Sequence, residues 1–295
     1  DPAVPTLTGT SPSSTSTPVI SGVAEANATV TILAGGQALG QASADAGGNY
    51  TFTPGSPLGD GTHLLSATAT DAAGNTGTAS AVFSLLIDTG VPGSPVLSVT
   101  QAITNDNKPV IGGTAEAGST VSIYRGNTQL GQVAASSGGV ISFIPTTALP
   151  DGTYVLTATA SDFAGNISAA SISLSLVIDT AAPNAPTLTG ASLTNSNRPI
   201  LSGVAEAGST VSILEGGTTL GQATVGVNGA YSLVVATMAD GSHTLRAKAT
   251  DDAGNISSAS TALVVVVDTV DPAVPTLTGT SPSSTSTPVI SGVAE

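Results

Sequence analysis

The chain of 295 residues is longer than one ordinary hydrophobic core requires, which implies two or three domains. It has no cysteine, so a disulfide framework and Cys-based zinc or redox sites are excluded. Only 8% of residues are charged, with 19 Asp and Glu against five Lys and Arg; the net charge of -14 disfavours nucleic acid or an anionic membrane as main partner and points to a cation.

In chain order, "DPAVPTLTG" (1–9) begins in the middle of a pattern, so the chain reads as an excerpt of a longer protein. Aromatics are 3% of residues, whereas Val, Ile, Leu, Ala, Thr, Ser and Gly dominate, a mixture that favours strands and tight turns. "PVISGVAEANATVTIL" (18–33) has period-two alternation that turns Val30 and Ile32 inward and Thr and Ser outward. "LGDGTHLLSATATD" (58–71) alternates likewise, with Leu65, Ala67 and Ala69 inward. The turn "DAAGN" (71–75) follows, and "LLIDTG" (85–90) ends a last strand and opens a linker. The longest apolar runs, such as "ALVVVV" (262–267), are far short of the roughly 20 residues of a membrane-spanning helix.

Each of these segments returns twice, at a period of about 90 residues, and such repetition decides the architecture. Repeats are expected at 1–89, 90–180 and 181–269; residues 271–295 copy 1–25 letter for letter, so 270–295 reads as the first strands of a fourth, truncated repeat. In the third copy Arg246 and Lys248 must face water, which places Leu245, Ala247 and Ala249 inside. About seven short strands per copy imply an all-β chain of tandem immunoglobulin-like antiparallel β-sandwiches in an extended rod.

Four acidic columns run through all three copies: Glu25/Glu116/Glu206, Asp60/Asp151/Asp240, Asp71/Asp162/Asp251 and Asp88/Asp179/Asp268. Loops of an immunoglobulin sandwich alternate between its two ends. Glu116 and Asp162 should therefore meet the linker residue Asp88 at the first junction, with Asp60 nearby. The same construction groups Asp179, Glu206 and Asp251 with Asp151 close by, and Asp268, Asp271 and Glu295 at the third junction; Glu25 and Asp71 face whatever precedes residue 1. Carboxylates about 4 Å apart repel by about 4 kcal/mol at an effective dielectric near 20, which a hard divalent cation reverses. Calcium, with a flexible shell of oxygens, is the expected ion, and Asn166 and Asn255 either donate oxygens or only shape their turn. The other reading makes these aspartates turn formers: "DG" at 60, 151 and 240 suits a tight turn, and D-x-A-G-N an Asx turn with glycine at positive φ. Glu is a poor turn former, so Glu25, Glu116 and Glu206 weigh towards ligation.

At "IDT" with its spaced prolines (87–95, 178–186), "TNDNKPVIGGTAEAGSTVSIY" (104–124) and "DGTYVLTATASDFAGN" (151–166), the sequence resembles the bacterial immunoglobulin-like repeats of giant type-I-secreted adhesins and biofilm-associated proteins. The resemblance covers essentially the whole chain. It implies an extracellular, cell-surface stalk that carries a tip adhesin, serves adhesion and biofilm formation, and is stiffened by Ca2+ at its domain junctions. Carried over residue by residue, the ligands are Asp88, Asp179 and Asp268 of the linkers, Glu116, Glu206 and Glu295, and Asp162 and Asp251. "TNDN" (104–107) is "STST" at 14–17 and "TNSN" at 194–197, which leaves Asp106 out as a general ligand. The implied partners are neighbouring repeats, other adhesin molecules and host or abiotic surfaces.

The alternative is a homophilic or glycan-binding module. Sugar platforms need exposed aromatics, but Tyr50, Phe52, Phe143 and Tyr231 alternate as core residues, leaving Tyr124, Tyr154 and Phe163. Catalysis is not expected, because no Ser-His-acid set recurs and His63 and His243 read as exposed histidines of the DG loop.

Overall fold

The computed structural model describes residues 1–279, 281, 286–287 and 289–294, and none of them is helical. The first repeat has seven strands: β1 (Thr8–Gly9), β2 (Ile20–Val23), β3 (Thr29–Ala34), β4 (Gln37–Ser43), β5 (Asn49–Phe52), β6 (Gly61–Thr70) and β7 (Phe83–Ile87). They form two antiparallel sheets, β1-β2-β5 and β4-β3-β6-β7. The second repeat sets Val140–Phe143, Ile111–Thr114 and Val96–Val99 side by side, and Thr128–Ala134, Thr120–Arg125, Gly152–Ser161 and Leu174–Ile178 in the opposing sheet. The third pairs Ile200–Val204 with Ala230–Val234, and orders Leu193–Thr194, Leu263–Val267, Gly241–Thr250, Thr210–Glu215 and Thr218–Thr224 in the other. Residues 1–102 and 107–178 form one compact unit, and residues 103–106 and 179–295 another.

Alternation explains each core. Val30, Ile32, Leu65, Ala67 and Ala69 are fully buried, as are Val121, Ile123, Leu156, Ala158 and Ala160, and Val211, Ile213, Leu245, Ala247 and Ala249. The register pairs Val30 with Ala69 and Ile32 with Ala67, a large residue beside a small one in each row. Arg246 and Lys248 point outward, as the alternation predicts. Tyr50, Phe52, Phe143 and Tyr231 lie in the cores. Tyr154 joins them rather than the surface: its hydroxyl donates to the Pro150 carbonyl at 2.7 Å, and the Arg125 guanidinium lies 4.3 Å from its ring centre. Tyr124 and Phe83 are half-buried, so Phe163, 91% exposed, is the only exposed aromatic among the described residues.

One glycine per repeat lets the leading segment lie against the second strand. A Cβ on Gly22, Gly113 or Gly203 would stand 1.9, 1.9 or 2.1 Å from the carbonyl oxygen of Thr6, Val96 or Thr187, far inside the carbon–oxygen contact distance. The Tyr50 and Tyr231 hydroxyls donate to those same Thr6 and Thr187 carbonyls.

After the D-x-A-G-N turn the chain runs beside the long strand without forming a regular ladder. Ser168 N donates to Ala160 O and Ser171 N to Ala158 O (both 2.8 Å), while their hydroxyls accept from Ala160 N and Ala158 N at 2.9 and 3.0 Å. The segment advances three residues where the strand advances two, and serine oxygens stand in for the carbonyls a regular strand would present. Ser257 and Ser260 repeat this in the third copy; in the first, Gly77 replaces the leading serine and Ser80 keeps the second bond. This stitching holds the D-x-A-G-N loop at the end of its sandwich.

Candidate functional site

Each D-x-A-G-N loop closes on itself. In the second repeat Asp162 Oδ1 accepts from Asn166 N at 2.9 Å, Asp162 Oδ2 from Asn166 Nδ2 at 2.8 Å, and Gly165 takes the predicted positive φ of 91°. Burial pushes the Asp162 carboxyl up, but the Asn166 amide and N–H, with the N–H groups of Gly165 and Ala164, outweigh it and hold the group below the usual carboxylate range. In the first repeat the Asn75 amide and N–H donate to Asp71 at 2.8 Å each and lower its carboxyl in the same direction. Asp251 and Asn255 repeat the geometry at 2.8 and 2.9 Å.

The second and third loops hold a linker as well. Asn166 Nδ2 also donates to the Asp88 carbonyl at 2.8 Å, and Asn255 Nδ2 to the Asp179 carbonyl at 2.8 Å. Both partners of each amide are pure acceptors, so the shared atom is the nitrogen and each of its hydrogens has one acceptor. Asn166 and Asn255 are 8% and 9% exposed, whereas Asn75 is exposed and bonds Asp71 alone among the described residues. The asparagines thus shape the turn, and they also reach a backbone carbonyl that sequence reasoning did not foresee.

The next linker residue is held from the other side. Asp60 Oδ1 accepts from Thr89 N at 3.0 Å and from Thr89 Oγ1 at 2.9 Å, and Asp240 Oδ1 accepts from Thr269 at 3.2 and 2.9 Å. The DG aspartate stands at a bend of the chain and in the first and third repeats ties down the threonine of the D-T linker. Thr89 was missed in the sequence; its signal was the threonine after each linker aspartate. Asp151 occupies the same bend in the second repeat.

The remaining expected ligands are placed as follows. The Asp88, Asp179 and Asp268 carboxylates accept from Gly90, Ala181 and Val270 N at 3.2, 3.0 and 3.2 Å. Glu25, Glu116 and Glu206 are exposed, and their carbonyls close short turns to the amides of Ala28, Ser119 and Ser209 at 3.1 Å each. Asp271 is exposed, and Glu295 lies outside the described residues. Among the described residues no three His, Asp or Glu side chains gather closely enough to hold a metal ion. What joins Asp88 to Asp162 is the Asn166 amide. Asp88, Glu116 and Asp162 are hard oxygen donors with no ion-paired base among the described residues, a set whose chemistry suits calcium although it is not preassembled.

The histidines are not free loop residues. His63 Nε2 lies 2.8 Å from the Gly59 carbonyl; His243 sets Nε2 2.8 Å from the Ala239 carbonyl and Nδ1 2.9 Å from Glu215 Oε1. The Ala239 carbonyl first and then the Glu215 carboxylate raise the pKa of His243 against the opposing effect of burial.

The family model described as bacterial Ig-like domain matches residues 8–89, 97–180 and 187–269. The chain belongs to this family. Among solved structures, a tetra-tandem repeat from the extending region of a large adhesion protein is 22% identical, covering 99% of this chain and 81% of its own at a TM-score of 0.29. A biofilm-associated protein BSP domain is 13% identical, covering 92% and 67%, at a TM-score of 0.26. A comparison with curated proteins returned no match. No helix among the described residues is long and apolar enough to cross a membrane.

Proposed function

We propose that these bacterial Ig-like repeats are a stalk segment of a large, type-I-secreted adhesin at the cell surface, with Ca2+ bound at the repeat junctions stiffening the stalk for adhesion and biofilm formation. The observation that carries this reading is the capture of one linker dipeptide from both sides, Thr89 by Asp60 and Asp88 by Asn166. A linker that only tethered independent domains would have no use for side chains of both repeats fixing its backbone. Ca2+ would take oxygens from Asp88, Glu116 and Asp162, from Asp179, Glu206 and Asp251, and from Asp268, Asp271 and Glu295. When bound, it supplies the positive charge that lets these carboxylates approach one another.

Small-angle scattering of the full chain with calcium and with chelator tests this. A larger maximum dimension and a higher melting temperature with calcium are expected, since a ligand that binds only the folded state stabilises it; unchanged curves would sink the calcium part. A glycan-binding module is disfavoured because Phe163 alone is exposed among the aromatics of the described residues, and one ring makes no stacking platform.

A further inference from the structure

We infer that Asn166 is a metal-independent latch, which sets the orientation of the second repeat relative to the first before any ion binds; this rests on the stalk reading and deepens it. One nearly buried amide nitrogen bonds two oxygens that belong to different repeats, Asp162 Oδ2 in its own loop and the Asp88 carbonyl at the end of the first sandwich. The charge-assisted bond to Asp162 fixes the plane of the amide, so that its other hydrogen is aimed at the linker carbonyl. Thr89, the very next residue, is gripped by Asp60 of the first repeat. Two adjacent linker residues are thus fixed to opposite neighbours, so few soft torsions remain between the sandwiches.

The pattern is specific to loops that meet a linker. Asn255 reproduces it with Asp251 Oδ2 and the Asp179 carbonyl at 2.9 and 2.8 Å, within the second compact unit. Asn75 makes the intraloop bond and nothing more among the described residues, so it is a control built into the same molecule. The latch requires an amide. Aspartate at 166 would set a carboxylate against the Asp162 carboxylate and the Asp88 carbonyl, three acceptors with no donor among them, while offering a further oxygen to a cation.

The chain has no native cysteine, so Thr51→Cys and Ser142→Cys, both exposed and on equivalent strands of the two repeats, can carry spin labels in the full chain. Electron–electron distance distributions are then measured in chelator and in calcium. The latch predicts a single narrow distribution for the labelled parent in chelator, about twofold broadening with Asn166→Ala, and no broadening with Asn75→Ala, which loses the same intraloop bond. Asn166→Asp is expected to broaden in chelator and narrow again in calcium. A parent that is broad in chelator and narrow in calcium overturns the latch and leaves the calcium-stiffened stalk standing. An Asn166→Ala distribution as narrow as the parent's, or equal broadening with Asn75→Ala, also overturns the latch. A narrow parent that calcium leaves unchanged, with broadening in Asn166→Ala alone, upholds the latch and removes the calcium part of the stalk reading.

Discussion

The loops Asp71–Asn75 and Asp162–Asn166 carry nearly the same five residues and close through the same side-chain bonds at 2.8 Å, yet Asn75 is exposed and Asn166 is buried. The turn is a local property of D-x-A-G-N. What makes the second loop a contact site is the Asp88 carbonyl, a group that every residue possesses. A short motif can thus be structurally invariant while its function depends on what chain it is set against.

Core substitutions should erase that difference, and they carry the largest effect. Leu65→Ala and Leu156→Ala each remove a fully buried side chain from matched positions and are expected to cost about 2–5 kcal/mol by denaturant unfolding. A large inequality between them would mean that the repeats differ in more than their neighbours. Asn166→Ala leaves the Asp88 carbonyl and an Asp162 oxygen without their donor and should cost about 1–3 kcal/mol. Asn75→Ala, at the exposed copy, should stay within about 0.5 kcal/mol; equal losses would refute the distinction drawn above.

Acid gives a subtler test. The Asp71 and Asp162 carboxyls are depressed in the folded state, so each contributes stability that is present above the unfolded value near pH 4 and lost as pH falls through the lower folded value. Proton titration by NMR should show both titrating below an ordinary aspartate, and Asn75→Ala or Asn166→Ala should raise only its own partner. The smallest effect belongs to His243. His243 has its pKa raised, so its contribution is fully present below the unfolded value near pH 6.5 and fades as pH rises through the higher folded value. His63 bonds the equivalent carbonyl but has Ala34 where His243 has Glu215, so the acidic partner is particular to the third repeat. Glu215→Gln should lower the pH at which the His243 ring signals titrate by NMR.

Much of the fold was legible because β-structure writes its two faces into the chain with a period of two. Val30, Ile32, Leu65, Ala67 and Ala69 came out inside for that reason. The same register, extended two residues back from Leu65, Leu156 and Leu245, reaches His63, Tyr154 and His243, so the half-buried or buried state of that column was available in the alternation and was overlooked. The carboxylate columns were also visible, and topology did bring the Asp162 loop to the Asp88 linker. Their mode of contact was not legible, because like charges do not gather unaided, and the group that bridges them is an amide bonding to backbone.

By itself, then, the amino-acid sequence determined the repeat, the inward face of each strand, the glycine turn of D-x-A-G-N and the aspartates that favour tight bends, since all of these follow from alternation and local backbone preference. Only the tertiary structure decided that Asp60 holds Thr89, that Ser168 and Ser171 stand in for strand carbonyls, and that Asn166 and Asn255 grip a linker. Those contacts join residues far apart in the chain through hydrogen bonds to backbone atoms, and a backbone atom leaves no mark in the order of side chains.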